Sequence, residues 1–112
     1  MSSRPPIACD FSAIDDNEIE EHRENGRAVF EAISEIRETP NGYSFKLPAD
    51  TDIISRAGAF IARERLCCPF FEFTLTIPPD HNPVWLKLTG RQGVKPYIKE
   101  TLLPKLDASV AG

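Results

Sequence analysis

Hydrophobic and polar residues along the chain follow two periods, and the switches between them mark out its elements. From Ile19 to Ile33 the residues Ile19, Gly26, Val29, Phe30 and Ile33 recur on one stripe at helical spacing, with a charged opposite face. This predicts a first amphipathic helix, for which Asp15-Asp16-Asn17 supply N-cap chemistry. A second helix is predicted from residue 52 to about 68, with the apolar set Ile53, Ala57, Phe60 and Ile61, capped by Asp50 or Thr51 and stopped by Pro69. Val94, Tyr97, Ile98 and Leu102 mark a final helix.

Between the helices the period shortens to two. Ile36 to Thr39 and Tyr43 to Leu47 flank Pro40-Asn41-Gly42, where Asn and Gly tolerate the positive φ of tight hairpins. Phe71, Phe73, Leu75 and Ile77 alternate with Glu72, Thr74 and Thr76, which predicts a half-buried strand, and Val84 to Thr89 forms its partner across the 78–83 loop. Ile7 to Ile14 is a further candidate strand. The expected fold is therefore α+β: an antiparallel sheet of two hairpins, with a candidate N-terminal strand, covered on one face by three helices. The repeated helix-hairpin order hints at a duplication that no residue-level repeat accompanies. Residues 7–103 are read as one domain, 1–6 as a flexible lead and 104–112 as a frayed tail.

Composition fits this picture. At 112 residues, 41% apolar and 27% charged, the chain can bury one core without staples. A net charge of -4 with no basic cluster argues against nucleic acid or an anionic membrane as partner. No apolar h-region follows Met1 and no run approaches a membrane span of ~18 residues, so the expected location is the cytosol. In that compartment three cysteines read as free thiols or ligands rather than as a disulfide framework, and an odd number cannot all pair internally. An exposed hairpin edge leaves a homodimer open.

The chemistry concentrates at the end of the second helix. At ~100° per residue Glu64 falls on the same face as Ile53, Ala57, Phe60 and Ile61, where an ionised carboxylate must be neutralised, paired, metal-bound or near water. Cys67 and Cys68 stand three and four residues further on, over the same face. His22 lies on the apolar stripe of the first helix, and Cys9 precedes that helix. Cys67, Cys68, Cys9, Glu64 and His22 thus form a candidate soft-ligand set, whose thiolates and imidazole suit zinc, copper(I) or heavier thiophilic ions. The bland alternatives are core cysteines, a hydrogen-bonded core histidine, and a Glu64 paired internally with an arginine. His81, in a polar loop, is a weaker ligand candidate still, and Phe70, Phe71 and Phe73 read as packing. Adjacent cysteines make a poor mutual disulfide, and a helix C-terminus raises a thiol pKa, so thiol catalysis is disfavoured.

Cys9-Asp10-Phe11, Asn41-Gly42-Tyr43-Ser44-Phe45, Glu64-Arg65-Leu66-Cys67-Cys68-Pro69-Phe70-Phe71-Glu72-Phe73 and Trp85-Leu86-Lys87-Leu88-Thr89-Gly90 resemble a family of small uncharacterised bacterial proteins with a Glu-Arg-x-Cys-Cys-Pro-Phe motif. The resemblance spans about residues 7 to 100 and departs at Arg91, where the family places a proline. It implies that Cys67, Cys68, Glu64 and Cys9 belong to one recurring pattern, and it supplies no activity. The leading expectation is a thiol-containing domain that binds a soft metal or metalloid ion. Its rivals are a structural or interaction module with core cysteines, and a small thiol-dependent enzyme with Glu64 as acid or base.

Overall fold

The computed structural model describes the backbone of residues 7–110 and the side chains as far as Leu106; the 1–6 lead lies outside the described residues. Helix α1 (Ile19–Glu31), strands β1 (Glu35–Thr39) and β2 (Gly42–Leu47), helix α2 (Thr51–Cys67), strands β3 (Glu72–Thr76) and β4 (Val84–Thr89), and helices α3 (Val94–Thr101) and α4 (Leu103–Val110) follow in order. The four strands form one antiparallel sheet in the order β1-β2-β4-β3. Two α-β-β units are thus joined through their second strands, an arrangement in keeping with the repeated element order of the sequence.

The period-two pattern explains which strands are central. Tyr43, Phe45 and Leu47 of β2, and Val84, Leu86 and Leu88 of β4, are all buried on the helix side. Paired across the sheet, Ile36, Phe45, Leu86 and Leu75 form one row of that face. The opposite face carries Lys46, Lys87 and Trp85, with the Arg37 guanidinium 4.4 Å from the centre of the Trp85 ring.

Three sequence expectations change. Residues 7–14 do not form a strand: Asp10 accepts from the Ser12 N–H at 3.0 Å and starts a single 3-10 turn, Phe11–Ala13. Asp15-Asp16-Asn17 likewise leads into a 3-10 turn, Asp16–Glu18, and provides no side-chain cap to α1. The frayed tail from 104 is instead helical to Val110, with Leu106 buried. Pro104, which lacks an N–H, interrupts the third helix and is tolerated in the first turn of α4. Asp50 caps α2 as expected, its carboxylate accepting from the Ile53 N–H at 3.0 Å.

The hairpin between β1 and β2 forms, for a different reason than positive φ. Among the described residues the only glycine in the left-handed region is Gly93, and the only others there are Asp80 and His81 in the β3–β4 turn. Gly42 is required by space: a Cβ there would stand 1.9 Å from the Leu88 carbonyl oxygen of the neighbouring strand. Replacing Gly42 by Ala should therefore push β2 from β4 and lower the stability to urea unfolding by about 1 to 3 kcal/mol. An unchanged midpoint would show that the sheet absorbs the methyl without moving.

Candidate functional site

Helices α1 and α2 pack against each other, and a contact with no side chain brings them close: a Cβ at Gly26 would touch the Phe60 ring at 3.0 Å. Phe60 in turn stacks flat on His22, with ring centres 5.1 Å apart, and takes the edge of Phe30. Polar bridges fix the register, from Arg56 to Asn25 and from Arg63 to Glu18 and Glu21. The result is that His22 on α1 faces Glu64 on the last turns of α2.

Glu64 is the hub. Its Oε1 accepts from His22 Nε2 at 2.9 Å and from the Cys67 thiol at 3.2 Å. In place of the arginine pairing expected as its alternative, its described partners are His22 and Cys67, while Arg63 turns to Glu18 and Glu21. His22 is buried, and its Nδ1 has no hydrogen-bond partner among the described residues. The ligand atoms of His22, Glu64 and Cys67 all lie within 4.8 Å of one another, close enough to share one ion. Glu64 and His22 also line a cavity of about 260 Å³ together with Phe11, Phe30 and Phe60.

The other two cysteines are brought to the same place but engaged differently. Cys9 and Cys68 form a disulfide, where free thiols or ligands were expected, and Cys67 is the free cysteine. The odd cysteine sits beside it, with Cys67 Sγ 3.5 Å from Cys68 Sγ. Folding explains the pairing. α2 ends at Cys67, the Cys68 N–H closes back on the Glu64 carbonyl at 2.7 Å, and Pro69 prevents a further turn. The Cys67 carbonyl freed by this ending accepts from the Asp10 N–H at 2.8 Å, which lays Cys9 against the helix end. The sequence offered Cys9 a place near the site through a candidate strand in the sheet; the segment instead runs across the end of α2.

One functional contact was missed. The Tyr97 hydroxyl of α3 donates to Cys9 Sγ at 3.3 Å, while its ring packs on Phe70 and Phe71. The helical spacing of Tyr97 marks it as core, and nothing local signals a partner 88 residues away. The three phenylalanines of the 70–73 segment are packing, as expected: Phe70 and Phe71 are buried and Phe73 packs against the core. His81 lies in the exposed turn, outside the cluster.

Burial, then the charge of the nearby Glu64 carboxylate, pushes the Cys67 thiol from its ordinary 9.0 up to about 12. Cys67 is therefore a protonated donor at neutral pH, which fits the earlier argument against a thiolate nucleophile.

Two outcomes follow for solution experiments. The folded thiol holds its proton to higher pH than the unfolded one, so the folded state binds more protons between about pH 9 and 12. Its contribution to stability is complete below pH 9 and is lost as pH rises through that window; the decline in urea midpoint above pH 9 should be shallower in Cys67→Ser. The disulfide closes residues 59 apart, and its reduction should lower stability by about 4 kcal/mol, read from urea curves with and without a reductant. Identical curves would mean that the bond is absent in solution.

No family model matches the chain, and neither a curated protein nor a solved structure matches it.

Proposed function

We propose that the protein binds a soft metal or metalloid ion through its vicinal cysteines, with Glu64 and His22 beside them. The observation that carries this reading is the convergence of an imidazole nitrogen, a carboxylate oxygen and a thiol sulfur within 4.8 Å. They come from two helices held in register by separate contacts. With the disulfide closed, Cys67, Glu64 and His22 offer a mixed sulfur, oxygen and nitrogen set suited to zinc. With it open, Cys68 and Cys9 add thiols beside Cys67, and the balance moves toward copper(I) and other thiophilic ions. The Glu-Arg-x-Cys-Cys-Pro-Phe motif behind the family resemblance coincides with this cluster.

Binding has a defined proton consequence. A thiol held near pKa 12 must give up its proton to a metal, so affinity should rise with pH. Glu64 Oε1, already accepting the S–H, is placed to relay that proton toward solvent as the carboxylate itself stays ionised for the metal.

A second reading draws on one specific observation, that Cys67 and Cys68 are fully buried, as core thiols are. The two separate by experiment. Untagged protein, oxidised and reduced, is titrated with zinc and with copper(I) beside Cys67→Ser and Glu64→Gln. The binding reading expects near-stoichiometric retention, at least about tenfold weaker in either variant, and zinc affinity that climbs with pH. If neither these ions nor arsenite is retained in either redox state, the cysteines are core residues and the proposal falls.

A further inference from the structure

Three features of the cluster narrow the ion-binding reading: the third sulfur, the disulfide, and the hydrogen bonds that hold Cys9 and its neighbour Asp10 beside it. From them we infer that reduction of Cys9–Cys68 opens a three-thiol site, Cys9, Cys67 and Cys68, for a trivalent arsenic or antimony oxyacid. This rests on the proposed ion-binding function and names its ligand class and its redox control.

Geometry comes first. Cys67 and Cys68 sulfurs are already 3.5 Å apart, a separation that two sulfurs adopt on one pyramidal three-coordinate centre. Cys9 Sγ is bonded to Cys68 Sγ, so all three sulfurs lie together. Two contacts other than the disulfide would keep Cys9 there once it is cut: the Asp10 N–H on the Cys67 carbonyl and the Tyr97 hydroxyl on Cys9 Sγ. Three cysteines gathered at one point, with no fourth cysteine in the chain, match a centre that takes three sulfur ligands and directs a lone pair at the remaining position.

Charge points the same way. Arsenous acid is uncharged at neutral pH, and it condenses with three neutral thiols to give one neutral tris-thiolate and three waters. Each S–H proton leaves with a hydroxyl of the acid, three As–O bonds are exchanged for three As–S bonds, and arsenic stays trivalent. No net charge enters a buried site, whereas three thiolates on a divalent cation would leave an anion there beside the Glu64 carboxylate. Glu64 Oε1, bonded to the Cys67 thiol, is placed to carry one of the protons.

The opening step needs a reductant, and the chemistry names a low-molecular-weight thiol. Cys68 is fully buried while Cys9 is half-buried, so the incoming thiolate attacks Cys9 Sγ. The S–S bond breaks, Cys68 takes a proton, and a mixed disulfide remains on Cys9. A second thiol attacks the sulfur of the first, Cys9 leaves as a thiol, and the reductant departs as its own disulfide, with two electrons transferred in all.

The test uses arsenite and the full chain, air-oxidised or reduced with a phosphine that is then removed. Binding is followed by near-ultraviolet sulfur-to-arsenic absorption and by counting thiols protected from a disulfide reagent. The expected result is one arsenite per reduced chain with three thiols protected, none bound by the oxidised chain, and affinity about a hundredfold lower in Cys9→Ser. That variant is compared with reduced wild type, which also lacks the bond, and circular dichroism checks that both are folded. Thiol counting on the wild type stands whatever the variant does. Protection of only two thiols, equal binding by oxidised protein, or equally tight binding by the urea-unfolded chain would overturn the inference. Retention of zinc or copper(I) without arsenite would sink it while leaving the broader ion-binding function intact; retention of none of them would remove both.

Discussion

The pairing of β2 with β4 is the constraint on which the rest of the molecule depends. It joins the two α-β-β units at the middle of the sheet, and its register turns Tyr43, Phe45 and Leu47 to the same side as Val84, Leu86 and Leu88. A slip of either strand by one residue would send its three apolar side chains to solvent and bring inward Ser44 and Lys46 of β2, or Trp85 and Lys87 of β4. Once the apolar side is fixed, α1 and α2 must lie together on it. Their crossing then decides that His22 meets Glu64, so the site inherits its geometry from strands that contribute no residue to it.

At that crossing a carboxylate is kept largely from water. Such burial is costly unless the oxygens are satisfied, and here one oxygen accepts from an imidazole and a thiol at once. The arrangement also explains why the thiol keeps its proton: ionising Cys67 would place a second negative charge beside the first, in surroundings that already disfavour one. Stability and chemistry are tied here, since the hydrogen bonds that make Glu64 tolerable also organise the sulfur next to it.

Much of this was legible in the sequence. The wheel of α2 put Glu64, Cys67 and Cys68 on one face, and the stripe of α1 put His22 on its packing side; both placements depend only on local periodicity, which the structure keeps. The alternation in β2, β3 and β4 and the turn at 40–41 likewise marked the hairpins. What could not be read was long-range. Nothing near Cys9 announces the Asp10 N–H bond to the end of α2, so a candidate strand was expected where a 3-10 turn stands, and a disulfide was not. The need for Gly42 was visible, but its cause, the backbone of a strand more than 40 residues away, was not. The helical tail past Pro104 was hidden because Leu106 finds its burial through tertiary packing that no local pattern specifies.

The link between Cys9 and Cys68 also divides the chain mechanically. It encloses α1, the first hairpin and α2 in a covalent loop, and leaves β3, β4, α3 and α4 outside it. Tension applied at the two ends would run from Cys9 straight to Cys68 and bypass everything between. The outer half would peel away under load, while the enclosed segment, roughly 200 Å of extensible chain, would add no length until the bond is cut. A reductant would thus change how far the molecule stretches, and one bond between two sulfurs would set its reach.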